Sequence, residues 1–195
     1  MPIERTIIMH KDEINNKIEL LNNSAKLTLE NIGGILGDIR SPIKKFQLLK
    51  FNQVGCDPLD INIKLNLMEQ LNQAFTYMAS FHAAQYIFEK HNSEVDFITL
   101  NLGTQGGSDI ESSDKLIVGE VFATTNIRNN DKLNKDIAKV KAVEHAKHRY
   151  VFFIAPSIKS GCYLYKPKKI DLDGVKIISL SEIEQDVQFP FISKE

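Results

Sequence analysis

A chain of 195 residues, 43% hydrophobic and 25% charged, has the apolar material for one folded core, which excludes a fibrous or disordered protein. Its 24 Lys and Arg against 25 Asp and Glu give a net charge of −1, which excludes a uniformly basic nucleic-acid binder but leaves room for a local basic face. Cys56 and Cys162 are too few for a disulfide framework or a cysteine-built zinc site. No apolar run approaches the ~20 residues of a membrane helix and no secretory signal opens the chain, so a cytoplasmic protein with no membrane partner is expected.

The first 60 residues read as helical and irregular. Over residues 12–21, Ile14, Ile18 and Leu21 recur at helical spacing. Residues 27–36 suggest a second helix, interrupted at Gly33-Gly34. Pro42 suits the first position of a helix reaching Phe51. Gly55-Cys56-Asp57-Pro58 marks a turn. The chain therefore divides into an N-terminal helical extension over residues 1–60 and an α/β core over 61–195.

Residues 65–91 give the strongest helical pattern, with Leu67, Leu71, Ala74, Phe75, Met78 and His82 at steps of three and four. A strand is predicted over 97–102, followed by a glycine-rich turn, Gly103 to Gly107, then a short strand over 108–112 and a buried one over 115–124. Asn129-Asn130-Asp131 caps a helix running to about Lys147, with Leu133, Ile137 and Val140 on its apolar stripe. An interior strand follows over 150–155, then a strand over 175–180. Ser181 and Glu184 form a capping-box pattern for a last helix. The crossover through the helix after residue 129 implies a parallel strand pair, and the short turns before it imply antiparallel ones. The expected fold class is α/β, a mixed central sheet flanked by helices.

Chemistry concentrates at two carboxylates. Asp109 follows the glycines, and Glu120 sits inside the apolar run Leu116 to Phe122. A carboxylate in an apolar strand needs a partner, a proton or a metal, because burying an unpaired charge is costly. Two carboxylates at the same end of a sheet repel unless a cation separates them. Magnesium prefers such oxygen ligands together with phosphate oxygens and water.

The pattern Ser108-Asp109-Ile110, about ten residues, Gly119-Glu120-Val121-Phe122-Ala123, then Asn130-Asp131-Lys132-Leu133 opening a helix, resembles the PD-(D/E)xK nuclease superfamily, most of all a small type II restriction endonuclease. The family core is a helix, three strands, a helix and a fourth strand, an order matched over residues 65–155. The resemblance implies a restriction-endonuclease-like core in which Asp109 and Glu120 ligate magnesium, for sequence-specific cleavage of double-stranded DNA by a homodimer. Some members add a carboxylate from the preceding helix, which here makes Glu69 a third metal candidate; the first turn of a helix also favours a solvated acid there. The family's lysine two residues after the glutamate is Phe122 in this chain. Lys132 or Lys135 on the next helix are the expected substitutes, Lys132 as the catalytic one. A non-catalytic nucleic-acid-binding or assembly protein on the same fold is the alternative, and an unrelated α/β protein in which Glu120 pairs with Lys139 or a neighbour is a third reading.

Asn126, Arg128, Asn129, Asn130 and Lys135 are candidate DNA contacts, since Asn and Arg read base edges bidentately; turn preference also explains the asparagines. From Arg128 to Arg149 seven basic residues face three acids, a candidate backbone-binding face or a solvated helix. By exclusion, the N-terminal helices are assigned to dimerisation or DNA recognition. Glu111 shares the face of Asp109 if that stretch is extended. His145 and His148 could share a metal, but the helix dipole alone favours histidines at a C-terminus.

Overall fold

A computed structural model describes residues 5–37, 39–91, 94–104, 106–127, 131–155, 161–165 and 172–181. Nine strands and four α-helices follow in the order β1 (Thr6–Met9), α1 (Ile14–Gly37), α2 (Pro42–Phe51), β2 (Gly55–Cys56), β3 (Lys64–Leu65), α3 (Leu67–Lys90), β4 (Ile98–Asn101), β5 (Ile110–Ser112), β6 (Ile117–Ala123), α4 (Lys132–Lys141), β7 (His148–Ile154), β8 (Gly161–Tyr165) and β9 (Val175–Ser181) among the described residues. The main sheet runs β1-β4-β5-β6-β7-β9-β8, and β2 with β3 forms a separate ribbon. β1, β4, β5 and β6 pair antiparallel in turn, β6–β7 and β7–β9 are parallel, and β8 returns antiparallel to β9. The mixed sheet and the parallel pair across α4 agree with the sequence reading.

Alternation along β6 divides the core in two. Ile117 and Val121 join Phe81, Ile87, Tyr150 and Phe152 under α3. Val118 and Phe122 join Leu133, Ile137, Val140 and Phe153 under α4. Helices α3 and α4 therefore cover opposite faces of the sheet. Gly119 lets this happen closely: a Cβ there would press on the Phe152 ring at 3.3 Å. No helix among the described residues is long and apolar enough to cross a membrane.

Several elements differ from the sequence reading. The segment read as a helical extension supplies an edge strand, β1, and places Met9, Ile14 and Leu21 in the core beneath α3. Its two expected helices are one, α1, which runs through Gly33 and Gly34. Nothing lies within 4 Å of where their Cβ atoms would be, so the glycines soften the end of the helix rather than admit a neighbour. Helix α4 stops at Lys141, six residues before the expected end, and Arg149 turns back over that end, donating to Val140 O in its last turn at 3.1 Å and to Val143 O just beyond it at 2.8 Å. Asp131 precedes α4 in the left-handed region, φ 54°, and makes no side-chain cap bond. The last predicted helix, from Ser181, lies outside the described residues.

Candidate metal centre

The β5–β6 hairpin brings the two carboxylates together. Ile110 stands opposite Gly119, so one further step of the register sets Asp109 opposite Glu120. Residues directly opposite on an antiparallel pair share a face. For Glu120 that face is the one of Val118 and Phe122, beneath α4. Asp109 is held there by the Val121 N–H, which donates to Oδ2 at 2.8 Å.

Helix α4 lays its charged residues over them. Its sheet-facing stripe contains a third acid, Asp136, fully buried beside Leu133, Ile137 and Val140. Lys132 donates to Asp136 Oδ1 at 2.8 Å, and its ammonium lies 6.0 Å from the Phe122 ring. Lys139 donates to Glu120 Oε2 at 2.7 Å. The other oxygen of Asp136, Oδ2, is buried and has no hydrogen-bond partner. Three carboxylates and two ammoniums thus occupy one side of the sheet.

The charges feel one another. Burial, then the charge of Asp109, pushes Glu120 up to about 7, against the pull of Lys139. Burial also lifts Asp109, opposed by the Val121 N–H and by Lys132 and Lys139. Asp136 is raised by burial against Lys132. Lys139 is raised, chiefly by its bond to Glu120. An excess of buried negative charge, with one carboxylate oxygen unpaired, is an environment that a small divalent cation would stabilise.

The structure brings together Asp109, Glu120 and Lys132 of the expected site. Glu69 is committed elsewhere: its carboxylate accepts from Asn66 N at 3.3 Å while its own N–H donates to Asn66 Oδ1 at 2.9 Å, closing the capping box of α3. Lys135 is exposed on α4, Asn126 is exposed in the β6–α4 loop, and Glu111 is half-buried on β5. Arg128, Asn129 and Asn130 lie outside the described residues. Asp136 is absent from the expected site, and Lys139 is expected there only as the ion-pair partner of Glu120 in an unrelated α/β protein, a pair the structure contains. The signal was in the sequence: Asp136 stands three residues after Leu133 and next to Ile137, on the apolar stripe itself, where an acid requires explanation.

The basic face is thinner than its charge count. Lys132 and Lys139 are paired with buried acids, Arg149 caps α4, and Lys141 lies 3.9 Å from Asp173. An apolar cleft of about 560 Å³ opens at the end of β6 on the α3 side, lined by Leu71, Phe75, Ala123 and Ile154 among others, away from the acids. Comparison with known proteins finds no family model, curated protein or solved structure that matches this chain.

Proposed function

We propose that the chain is a magnesium-dependent endonuclease acting on double-stranded DNA, of the PD-(D/E)xK type and organised as a type II restriction enzyme. The observation that carries this reading is the pairing of Asp109, just before β5, with Glu120 on β6, both buried beneath α4 among more acids than lysines. The order α3, β4, β5, β6, α4, β7 is that of the family core and supports it.

The donor set suits magnesium, being carboxylate oxygens; Asp136 Oδ2, buried under the same helix, is unpaired. Asp109 and Glu120 would hold the ion, which when bound polarises a phosphate and supplies a nucleophilic water at neutral pH. Lys139 takes the role left open by Phe122, because its ammonium already favours the ionised form of Glu120. Lys132 holds Asp136 in place and adds positive charge toward Asp109. Both ammoniums suit a scissile phosphate at the rim of the pocket. One site per subunit cuts one strand, so cleavage of both strands calls for a homodimer. The N-terminal helices expose Leu29, Ile35, Ile43, Phe46 and Phe51, apolar area suited to that contact.

A second reading has its own observation. Phe122 in place of the motif lysine fits a non-catalytic nucleic-acid-binding or assembly protein on the same fold, and the Glu120–Lys139 pair, complete without an ion, is the arrangement of an unrelated α/β protein. Incubation of supercoiled and linear DNA of mixed sequence with Mg²⁺ or Mn²⁺ separates the two. The nuclease reading expects cleavage that disappears in Glu120→Ala. DNA binding by the wild type with no cleavage of any substrate supports the second, and neither binding nor cleavage removes both.

A further inference from the structure

On the other face of the sheet, His91, Glu94 and His148 converge. His91 ends α3, Glu94 lies on the way to β4, and His148 opens β7. We propose that these three residues form a binding site for a divalent transition-metal ion of the zinc class, independent of the carboxylate centre beneath α4.

Their candidate ligand atoms all lie within 4.8 Å of one another. His91 Nδ1 stands 3.6 Å from Glu94 Oε2, too far for a good hydrogen bond. Two ligands of one zinc ion, at bond lengths near 2.0–2.1 Å and a tetrahedral angle, lie about 3.4 Å apart. The spacing therefore fits a shared ion better than a direct bond, and His148, within 4.8 Å of both, needs to close by at most about 1.4 Å. The His91 and His148 rings already touch in a tilted arrangement, centroids 4.6 Å apart at 49°.

The other nitrogen of His91 is occupied. Nε2 lies 2.9 Å from the Tyr150 hydroxyl, which is buried. With Nε2–H donating to that hydroxyl, Nδ1 turns its lone pair toward Glu94 and His148. Metal-binding histidines commonly have their second nitrogen fixed in this way. Burial, and then His148, hold His91 below its ordinary value, so the imidazole is neutral and available. Two imidazoles and one carboxylate select a borderline ion such as zinc over magnesium.

The site is accessible. A cleft of about 410 Å³ is lined by Glu94, Asp114, Leu116, Ile117, Lys147 and His148. Three protein ligands leave a fourth position facing this cleft, for water or a small anion. Lys147 at the cleft and Lys176, over the Tyr150 ring at 5.5 Å, oppose the cation, and the Glu94 carboxylate offsets them. A bound ion would tie the C-terminal end of α3 to the first residue of β7.

The test uses the full chain stripped with chelator and titrated with Zn²⁺, and with Mg²⁺ for comparison, followed by Tm and by competition with a chromogenic chelator. Zn²⁺ at about 100 times its Kd is expected to raise Tm by roughly 5–10 °C, with one ion bound at this site. Glu94→Gln, at a carboxylate 65% exposed, and His148→Gln are each expected to weaken binding at least tenfold. Asp109→Asn and His145→Gln should leave it intact, and Co²⁺ should give the visible bands of a four-coordinate site. Absence of saturable Zn²⁺ binding in the wild type overturns the proposal, as does binding unchanged in both Glu94→Gln and His148→Gln. Failure of His148→Gln to fold would leave the decision to Glu94→Gln, whose carboxylate is at the surface.

Discussion

Lys139 sets its ammonium 2.7 Å from Oε2 of Glu120, pairing a carboxylate 1% exposed with an amine 55% exposed. The partnership is unequal, because burial and Asp109 act on the acid more strongly than Lys139 relieves it, and Glu120 is pushed up to about 7. An acid raised above its ordinary 4.5 keeps its proton longer folded than unfolded. Its contribution to stability is therefore full below 4.5 and is lost as pH rises through about 7. Glu120→Gln cannot ionise. It should gain on the wild type by on the order of 2–3 kcal/mol between pH 5 and pH 8, read from urea unfolding at each pH. A difference that stays flat across that range would contradict the burial of the charge.

The same pair predicts a pH-dependent cost for Lys139→Met. At pH 8 the substitution leaves an ionised carboxylate buried without its cation. Loss of one partner of a fully buried pair costs roughly 3–5 kcal/mol, but the solvent around Lys139 screens this to about 1–2 kcal/mol. At pH 5, where Glu120 carries its proton, the cost should fall toward zero. Urea unfolding at the two pH values checks it, and equal losses at both would mean that the methylene stem of Lys139, not its charge, is what matters.

Long periodic stretches were legible in the sequence because burial on one face writes itself as spacing. Residues 65–91 became α3 within two residues at each end, and the parallel β6–β7 pair followed from the crossover alone. Strand β1 was not legible: four residues with one buried side chain have no period to read. The carboxylate pair was visible as an acid in an apolar run. Lys139 enters the sequence reading only as an ion-pair partner of Glu120 in an unrelated α/β protein; that the two meet, i to i+19, depends on how α4 lies across β6, which no local pattern reports. In sequence the neighbour of His148 is His145, three residues away, whereas folding sets His148 against His91.

A buried amide network predicts an intolerant glycine. Gln70 of α3 accepts from Thr28 Oγ1 at 2.7 Å and from Cys56 N at 3.2 Å, and donates to Ser24 Oγ at 2.9 Å. It thereby ties α1, β2 and α3 together. A Cβ on Gly55 would overlap Gln70 Oε1. Gly55→Ala should cost about 1–3 kcal/mol through displacement of that amide, lowering Tm by roughly 2–12 °C in a calorimetric scan. An unchanged Tm would mean that the ribbon moves aside without breaking the network.

Arg149 was counted within a DNA-binding face, yet its guanidinium donates to Val140 O, Val143 O and Glu144 O. A lysine cannot reproduce three donations from one planar fork. Arg149→Lys should cost about 1–2 kcal/mol of stability, and Arg149→Gln, which also removes the charge, should leave the slope of DNA affinity against salt unchanged. A slope reduced by about one contact, measured by fluorescence anisotropy across a salt series, would return Arg149 to the phosphate-binding face.

Asp136 gives the most direct test of the carboxylate centre. Its Oδ1 is bonded by Lys132 at 2.8 Å and its Oδ2 is buried with no partner, a costly arrangement in a protein without an ion. Asp136→Asn keeps the shape and removes the charge, relieving the repulsion felt by Glu120 and Asp109. In the metal-free protein the substitution should therefore change stability by less than about 1 kcal/mol, since the relief offsets the weakened bond to Lys132. Mn²⁺ affinity, read by titration calorimetry, should fall by roughly 10–100-fold, whether Asp136 touches the ion or orients a water on it. The opposite pattern, several kcal/mol of stability lost with Mn²⁺ binding unchanged, would make Asp136 an anchor for Lys132 alone and would remove the unpaired oxygen from the case for a metal.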